Sequence, residues 1–334
     1  MKRLQHPVAL FAMTVLLIGF GFAPRVGAQS QVIWKGYTYI SAAATPTYEG
    51  LQRIAAEVEK STAGKFKIRM NVGGTLPIKT NNITQVVGEG IIQFGSDGFF
   101  IGNVPIGGLL RLPMLLRTPE EYAKAAKIMA PYLKEAFAQK GAVVLAQYLY
   151  PLQVAWSSQK LTSLAEVKGK KFRVTSPEQS EFVRRFGGIP VTINAPEVPP
   201  ALQRGVVTGV FTASAGGGRL WKDMLSYNYR LGLNWFNSMI IANKEAYDRL
   251  PPDWQQSLQA AAIREGEKIT EAMRQDENAL TEKFAKEGMV VTYPKDSEVS
   301  EAEKRMSSFW DEWAKRHGPK AVKALRQVRA AIGK

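Results

Sequence analysis

Apolar and polar positions change period repeatedly along this chain. Gln31-Val32-Ile33-Trp34-Lys35-Gly36-Tyr37-Thr38 reads as a first strand. Pro46 opens a helix in which Leu51, Ile54, Ala55 and Val58 recur at helical spacing, and Gly64 closes it. Lys65 to Val72 alternates polar with apolar, as a half-buried strand does. A loop at Gly73-Gly74-Thr75-Leu76-Pro77, a helix ending near Gly88 and Gly90, and a short apolar strand from Ile91 to Gly95 follow. The same alternation continues: a helix from about Pro119 to Lys140, strands at 142–146 and 171–174, a helix around 180–186, an extended stretch at 189–192, a helix at 196–204 and a strand at 206–211. Beyond the Gly216-Gly217-Gly218 loop, Asn237 to Ala242 is extended. The remainder is mainly helical, with Trp254 to about Gly288 as one long helix, a short strand at 289–293 and two final helices. Repeated strand-helix-strand units predict an α/β fold with a largely parallel sheet, and two such units predict two lobes. A cleft between lobes is then the expected ligand site, because strand ends and helix starts converge there.

The first residues follow another pattern. Lys2 and Arg3 precede an apolar run from Val8 to Ala23, and Val26-Gly27-Ala28 is a small-x-small site. This is the signature of a secretory leader, residues 1–28, cleaved after Ala28. The run's 16 residues, interrupted by Thr14 and two glycines, fall short of the roughly 20 that span a bilayer. The expectation is an exported, periplasmic protein.

Composition narrows the chemistry. The 334 residues are 45% hydrophobic and 22% charged, enough for two cores and too apolar for disorder. Cysteine is absent, which excludes disulfides, thiolate metal sites and cysteine nucleophiles. His6 and His317 are the only histidines. The formal charge of +15 falls to +12 once the leader takes Lys2, Arg3 and Arg25 with it. Basic residues are dispersed except near the end, at Lys315, Arg316, Lys320, Lys323, Arg326, Arg329 and Lys334. No basic run interleaved with aromatics accompanies them, so a nucleic-acid partner is not expected.

Leu164-Ala165-Glu166-Val167-Lys168-Gly169-Lys170-Lys171-Phe172-Arg173-Val174 is more specific. So are Gly187-Gly188-Ile189-Pro190-Val191, Glu197 and Ala201-Leu202-Gln203-Arg204-Gly205-Val206-Val207-Thr208-Gly209 downstream, and Lys244 to Ser257 with Leu250-Pro251-Pro252. Gly64 to Ile68 and Leu112-Pro113-Met114 fit more loosely. In this order the segments resemble the substrate-binding proteins of tripartite ATP-independent periplasmic (TRAP) transporters, the DctP-like family. The resemblance covers nearly the whole chain after the leader. It implies two α/β lobes joined by hinge strands, with a long helix spanning both. Because the chain crosses more than once, lobe I is expected at 29–150 plus about 239–278, and lobe II at 151–238 plus about 279–334. It also implies capture of a small organic acid and delivery to membrane permease subunits driven by an ion gradient, without catalysis or ATP.

Arg173 matches the position of that family's carboxylate-clamping arginine. A guanidinium suits the task because its planar fork donates two parallel hydrogen bonds and stays charged. Gln153 occupies a region where many members carry another polar or cationic contact, and it adds no charge. Thr212 lies in Val207 to Ser214, where apolar and hydroxyl side chains replace more polar ones. Those departures favour an acid with one carboxylate and a less polar body. Ser176 stands three residues beyond Arg173. Tyr37, Phe99, Trp235 and Asn237 are placed by strand ends and turns, where rings and amides meet ligand bodies.

Other classes fit less well. A binding protein of another uptake or sensory system would share the lobes but lack the arginine motif. An exported hydrolase would need His317, which lies at a basic helix end without a Gly-x-Ser-x-Gly elbow. Gly216-Gly217-Gly218 lacks the lysine of a phosphate loop. No carboxylate cluster suggests a metal, and neither cofactor nor metal is expected. Monomer is the expected state.

Overall fold

The computed structural model describes Met1 and residues 31–334, so the leader and its cleavage site lie outside the described residues. Local signals set the element boundaries of the first half. β1 (Val32–Thr38) leads to α1 (Pro46–Ser61), where the Thr45 hydroxyl accepts the Tyr48 amide and Pro46 occupies the first turn. β2 (Phe66–Asn71), α2 (Ile83–Gly88) and β3 (Phe94–Asp97) follow. α3 (Pro119–Ala138) starts in a capping box made by Thr118 and Glu121.

The second half begins inside a long strand, β4 (Ala142–Ser157). β5 (Lys171–Val174), α4 (Pro177–Arg185), β6 (Ile189–Thr192), α5 (Val198–Gln203), β7 (Gly209–Thr212) and the single turn α6 (Arg219–Trp221) continue it. A second long strand, β8 (Tyr227–Asn243), returns the chain to the first half. α7 (Lys244–Asp248), α8 (Pro252–Lys286), β9 (Val290–Thr292), α9 (Asp296–Arg316) and α10 (Pro319–Ile332) complete the molecule.

The strands form one nine-stranded sheet in the order β2-β1-β3-β8-β4-β7-β5-β6, with β9 on the start of β8. β1 is parallel to β2 and β3, and β5 is parallel to β6 and β7, one parallel set per lobe. The two sets meet through the antiparallel pair β4 and β8, whose register runs from Ala142↔Asn243 to Ser157↔Tyr227. That register slips at Val144/Ala146, Tyr150/Gln153 and Gln153/Ala155. Pro151 lies inside the second slip, where a missing backbone N–H does least harm to a ladder. This is the two-lobed α/β binding fold that the sequence predicts, with β4 and β8 as the connecting strands.

α8 ties the two sets together. Its 35 residues span roughly 52 Å at the helical rise. Against the first lobe, Glu265 pairs with Arg53 at 2.7 Å, and Thr270 accepts the Leu149 amide at 3.0 Å. At Gly266 a Cβ would lie 2.6 Å from the Gln147 carbonyl oxygen, so glycine is what lets the helix lie on β4. Against the second lobe, Glu277 accepts the Ala215 amide at 2.8 Å and pairs with Arg230 at 2.8 Å.

Trp34, Leu51, Phe66, Trp254 and Ile269 centre the core under α1 and α8, and Phe66 stacks on Trp254 at 5.9 Å. A larger core runs beneath α3, α9 and α10. The sequence places residues 279–334 with the second lobe, whereas α10 lies on α3 of the first. Tyr132 donates to Gln327 and Lys320 pairs with Glu135. α9 contacts both lobes: Trp310 donates to the Pro113 carbonyl at 2.8 Å, and Arg185 of the second lobe pairs with Glu312. The apolar stripe of α10 needs a large partner face, and the α3 surface supplies it.

Candidate functional site

β5 is short and parallel, and the chain turns from its end into α4. Arg173 stands one residue before that end, paired in register with Val191 of β6 and Val210 of β7. Ligands in open α/β sheets collect at the carboxyl ends of parallel strands, and here a cavity of about 120 Å³ opens beside that end. A water needs roughly 10–15 Å³ on the same measure, so the space suits a small organic molecule.

Arg173 is 3% exposed. Its Nε donates to the Ile193 carbonyl at 3.0 Å, and its guanidinium lies 5.4 Å from the centre of the Trp221 ring. Burial alone lowers its pKa to about 10, with no neighbouring carboxylate acting against the shift. Among the described residues no acid lies within ion-pair distance of it. The remaining guanidinium donors face a cavity wall that holds no Asp or Glu. A buried cation without a partner anion is costly, and that cost falls when an anion docks.

The strand end is braced from below. Gln179 accepts both the amide and the hydroxyl of Thr175 at 2.8 Å and donates to Asn234 at 3.1 Å. On the far wall, the Ser214–Gly218 turn brings backbone into the cavity. Thr212 Oγ1 accepts the Gly217 amide at 2.8 Å, and Glu277 holds the Ala215 amide. Arg219 also lines the cavity, yet it is paired with Asp276 of α8.

Part of the wall is aromatic. Tyr39, Phe99, Tyr150 and Phe236 line it, with Trp221 beside the guanidinium. Tyr39 meets Phe99 edge-on at 5.5 Å, Phe99 meets Phe236 at 5.8 Å and Tyr150 meets Phe236 at 5.6 Å. Gly98 makes the packing possible, because a Cβ there would lie 2.8 Å from Tyr39 and 2.9 Å from Phe236. Burial holds the Tyr39 and Tyr150 hydroxyls protonated by raising their pKa values. Each hydroxyl has one neighbour: Tyr150 bonds Thr47, and Tyr39 accepts from Tyr148.

Of the residues singled out from sequence, the structure brings Arg173, Gln153, Thr212 and Phe99 to this cavity. The other four are outside its wall. Tyr37 points into the first-lobe core, where its hydroxyl donates to Ile78 and accepts the Gly74 amide. Ser176 caps α4 by accepting the Gln179 amide. Trp235 packs on Tyr122 and donates to the Leu116 carbonyl. Asn237 accepts from Arg111 at 2.9 Å. Neighbours that sequence reasoning passed over line the cavity instead: Tyr39, Tyr150, Thr175, Arg219 and Trp221. Phe236, which the sequence also offers beside Trp235, lies on the cavity wall, because adjacent residues face opposite sides of a sheet.

Among the described residues, no three His, Cys, Asp or Glu side chains converge as a metal site, and no helix is long and apolar enough to cross a membrane. Two parallel-stranded lobes, shared connecting strands and a cavity at the strand ends define a solute receptor. The family model for bacterial extracellular solute-binding proteins, family 7, matches residues 37–316, and the chain belongs to that family, the solute-binding subunits of TRAP transporters. The ectoine-binding periplasmic protein TeaA of Halomonas elongata is 24% identical over 267 residues, 76% of this chain and 77% of the relative. UehA of Ruegeria pomeroyi, an ectoine/5-hydroxyectoine-binding periplasmic protein, is 26% identical over 75% of this chain and 74% of its own length. Among solved structures, DctP7 of Bordetella pertussis, a receptor binding pyroglutamic acid, is 25% identical with a TM-score of 0.83 over 89% of this chain and 99% of that one. The family is one of transport proteins that bind substrates and are not enzymes.

Proposed function

We propose that this protein captures a small organic acid with a single carboxylate in the periplasm and delivers it to the membrane permease subunits of a TRAP transporter. The carrying observation is Arg173, a buried guanidinium on the cavity wall with no carboxylate partner among the described residues. The carboxylate docks on its free donors, each charged hydrogen bond contributing about 1.5–3 kcal/mol. Arg219 is the other cation on the wall and is already neutralised by Asp276, which leaves one charge to satisfy and favours a monocarboxylate over a dicarboxylate. The relatives that bind pyroglutamic acid and ectoine support a ligand of this size class. Closure of the lobes over the bound acid supplies the extra contacts that shift the open–closed equilibrium. In this reading the leader is removed after Ala28 and the receptor acts as a monomer without cofactor or metal.

Thermal-shift screening of the mature protein against carboxylic acids, followed by calorimetry on the hits, tests the reading. Arg173→Ala should fold and lose at least about a hundredfold in affinity, the loss of one or two charged hydrogen bonds. Near-normal affinity in that variant overturns the clamp.

A further inference from the structure

The single-carboxylate reading leaves the body of the ligand open, and the aromatic part of the cavity wall narrows it. Three classes of ligand body compete for that space: a polar aliphatic body, a cationic one and a flat aromatic one.

A polar body needs free hydrogen-bonding groups; besides Arg173, the wall side chains Ser41, Gln153 and Arg219 keep polar atoms without a partner among the described residues, and the others are engaged. Thr212 Oγ1 accepts the Gly217 amide, Thr175 Oγ1 donates to Gln179, and Gln153 Nε2 donates to the Pro151 carbonyl. Thr45 caps α1 and donates to Ala42. The tyrosine hydroxyls are bonded to Thr47 and Tyr148.

A cationic body is the usual guest of an aromatic box, but two rings of this box already face a cation. Arg111 lies 4.2 Å from the centre of Phe236, and Arg173 lies 5.4 Å from the centre of Trp221. Arg219 on the wall is paired with Asp276, and no Asp or Glu lines the cavity to meet a ligand cation. A positive charge on the ligand would enter a buried space that holds the uncompensated guanidinium of Arg173 and no anion of its own. A flat neutral ring meets none of these obstacles. Tyr39, Phe99 and Phe236 meet pairwise at 65–83°, and Tyr150 meets Phe236 at 83°, so the group offers ring edges as well as faces to an inserted ring.

We infer that the ligand is an aryl monocarboxylate, with its carboxylate on Arg173 and its ring among Tyr39, Phe99 and Phe236. The inference rests on the Arg173 reading above.

Calorimetry on the dialysed mature protein with benzoate, trans-cinnamate, cyclohexanecarboxylate, pyroglutamate and ectoine tests it. Cyclohexanecarboxylate keeps the charge and ring size of benzoate and lacks the π system. At least one aryl acid should bind tenfold or more tighter than cyclohexanecarboxylate and pyroglutamate, and ectoine should bind weakest. Phe99→Leu and Phe236→Leu should each weaken aryl acids more than cyclohexanecarboxylate and so cut the aryl-to-alicyclic affinity ratio severalfold. Phe99→Leu carries the test if Phe236→Leu, which also unstacks Arg111, fails to fold. Equal or tighter binding of cyclohexanecarboxylate, pyroglutamate or ectoine overturns the aryl inference, and if Arg173→Ala abolishes that binding, the carboxylate reading stands without it. Binding insensitive to Arg173→Ala, or no binding by any of the five, overturns both.

Discussion

Arg111 and Arg173 are two buried arginines whose pKa values burial lowers alike, to about 10, and they sit in opposite circumstances. Arg111 makes three hydrogen bonds within the protein. Its Nε donates to Asn237 Oδ1, its terminal nitrogen donates to the Gly98 and Asn237 carbonyls, and its plane lies between Phe100 and Phe236 at 5.1 and 4.2 Å. Asp97 and Glu178 stabilise its charge from nearby. Arg173 has one protein acceptor, one ring and no acid. The first arginine is bonded mainly by the protein and lies on the Phe236 ring of the aromatic wall. The second is the one that the proposed ligand would complete. Burial of a charged side chain therefore does not distinguish a binding group from a structural one; the inventory of its partners does.

Removing each arginine's charge with a side chain of similar length should break this comparison most clearly. Arg111→Met leaves three buried acceptors unbonded and deprives Asp97 of a cation, so it should cost about 3–5 kcal/mol in chemical denaturation. A loss below about 1 kcal/mol would mean that the network is not what holds that wall.

Asp97 gives the next largest effect. Burial raises its carboxyl pKa to about 6 although Thr84 and the Phe99 amide donate to it. The folded protein then holds more protons than the unfolded chain between about pH 4 and pH 6. Stability from this group falls as pH rises through that window, by roughly 2 kcal/mol between pH 4.5 and 7. Asp97→Asn should flatten the slope, read from denaturation midpoints at the two pH values. An unchanged slope would place its origin elsewhere.

Arg173→Met should have the smallest effect on stability, with the opposite sign. The folded pKa lies below the unfolded one, so the empty receptor bears the desolvation penalty at every pH below about 10. Removing the charge relieves that penalty and forfeits one hydrogen bond and one ring contact, a net gain of about 1 kcal/mol. The melting temperature of the ligand-free protein should rise slightly while binding disappears. A marked fall would show that Arg173 is also a structural residue.

The repeating strand-helix units were legible because each is half-buried and keeps a clean period. The long strands were not. β4 reads as 142–146 in sequence and runs to Ser157, because Pro151 and three register slips break its alternation. β8 is buried on both faces from Leu231 to Asn243, which leaves no alternation to detect. The same cause limited the site. Arg173 was reached through a local motif, and Phe99 through a turn. Choosing between Trp235 and Phe236 required knowing which face of β8 meets the cavity, and that is set by pairing partners nearly a hundred residues away. Tyr39 and Trp221 lie just beyond or between regular elements, where no period assigns a direction.

The interleaving of the chain also fixes an order of assembly. The first lobe lacks its β8 neighbour until residue 243 has been made, and α8, which clasps both lobes, is complete only at residue 286. An emerging chain thus contains no finished lobe through its first two-thirds. The pairing of β4 with β8 closes a loop of about seventy residues at its inner end, a slow step by the entropy of closure. The single helix that clasps both lobes is thus among the last third of the chain to be made, and the two long strands can pair only after that point has nearly been reached.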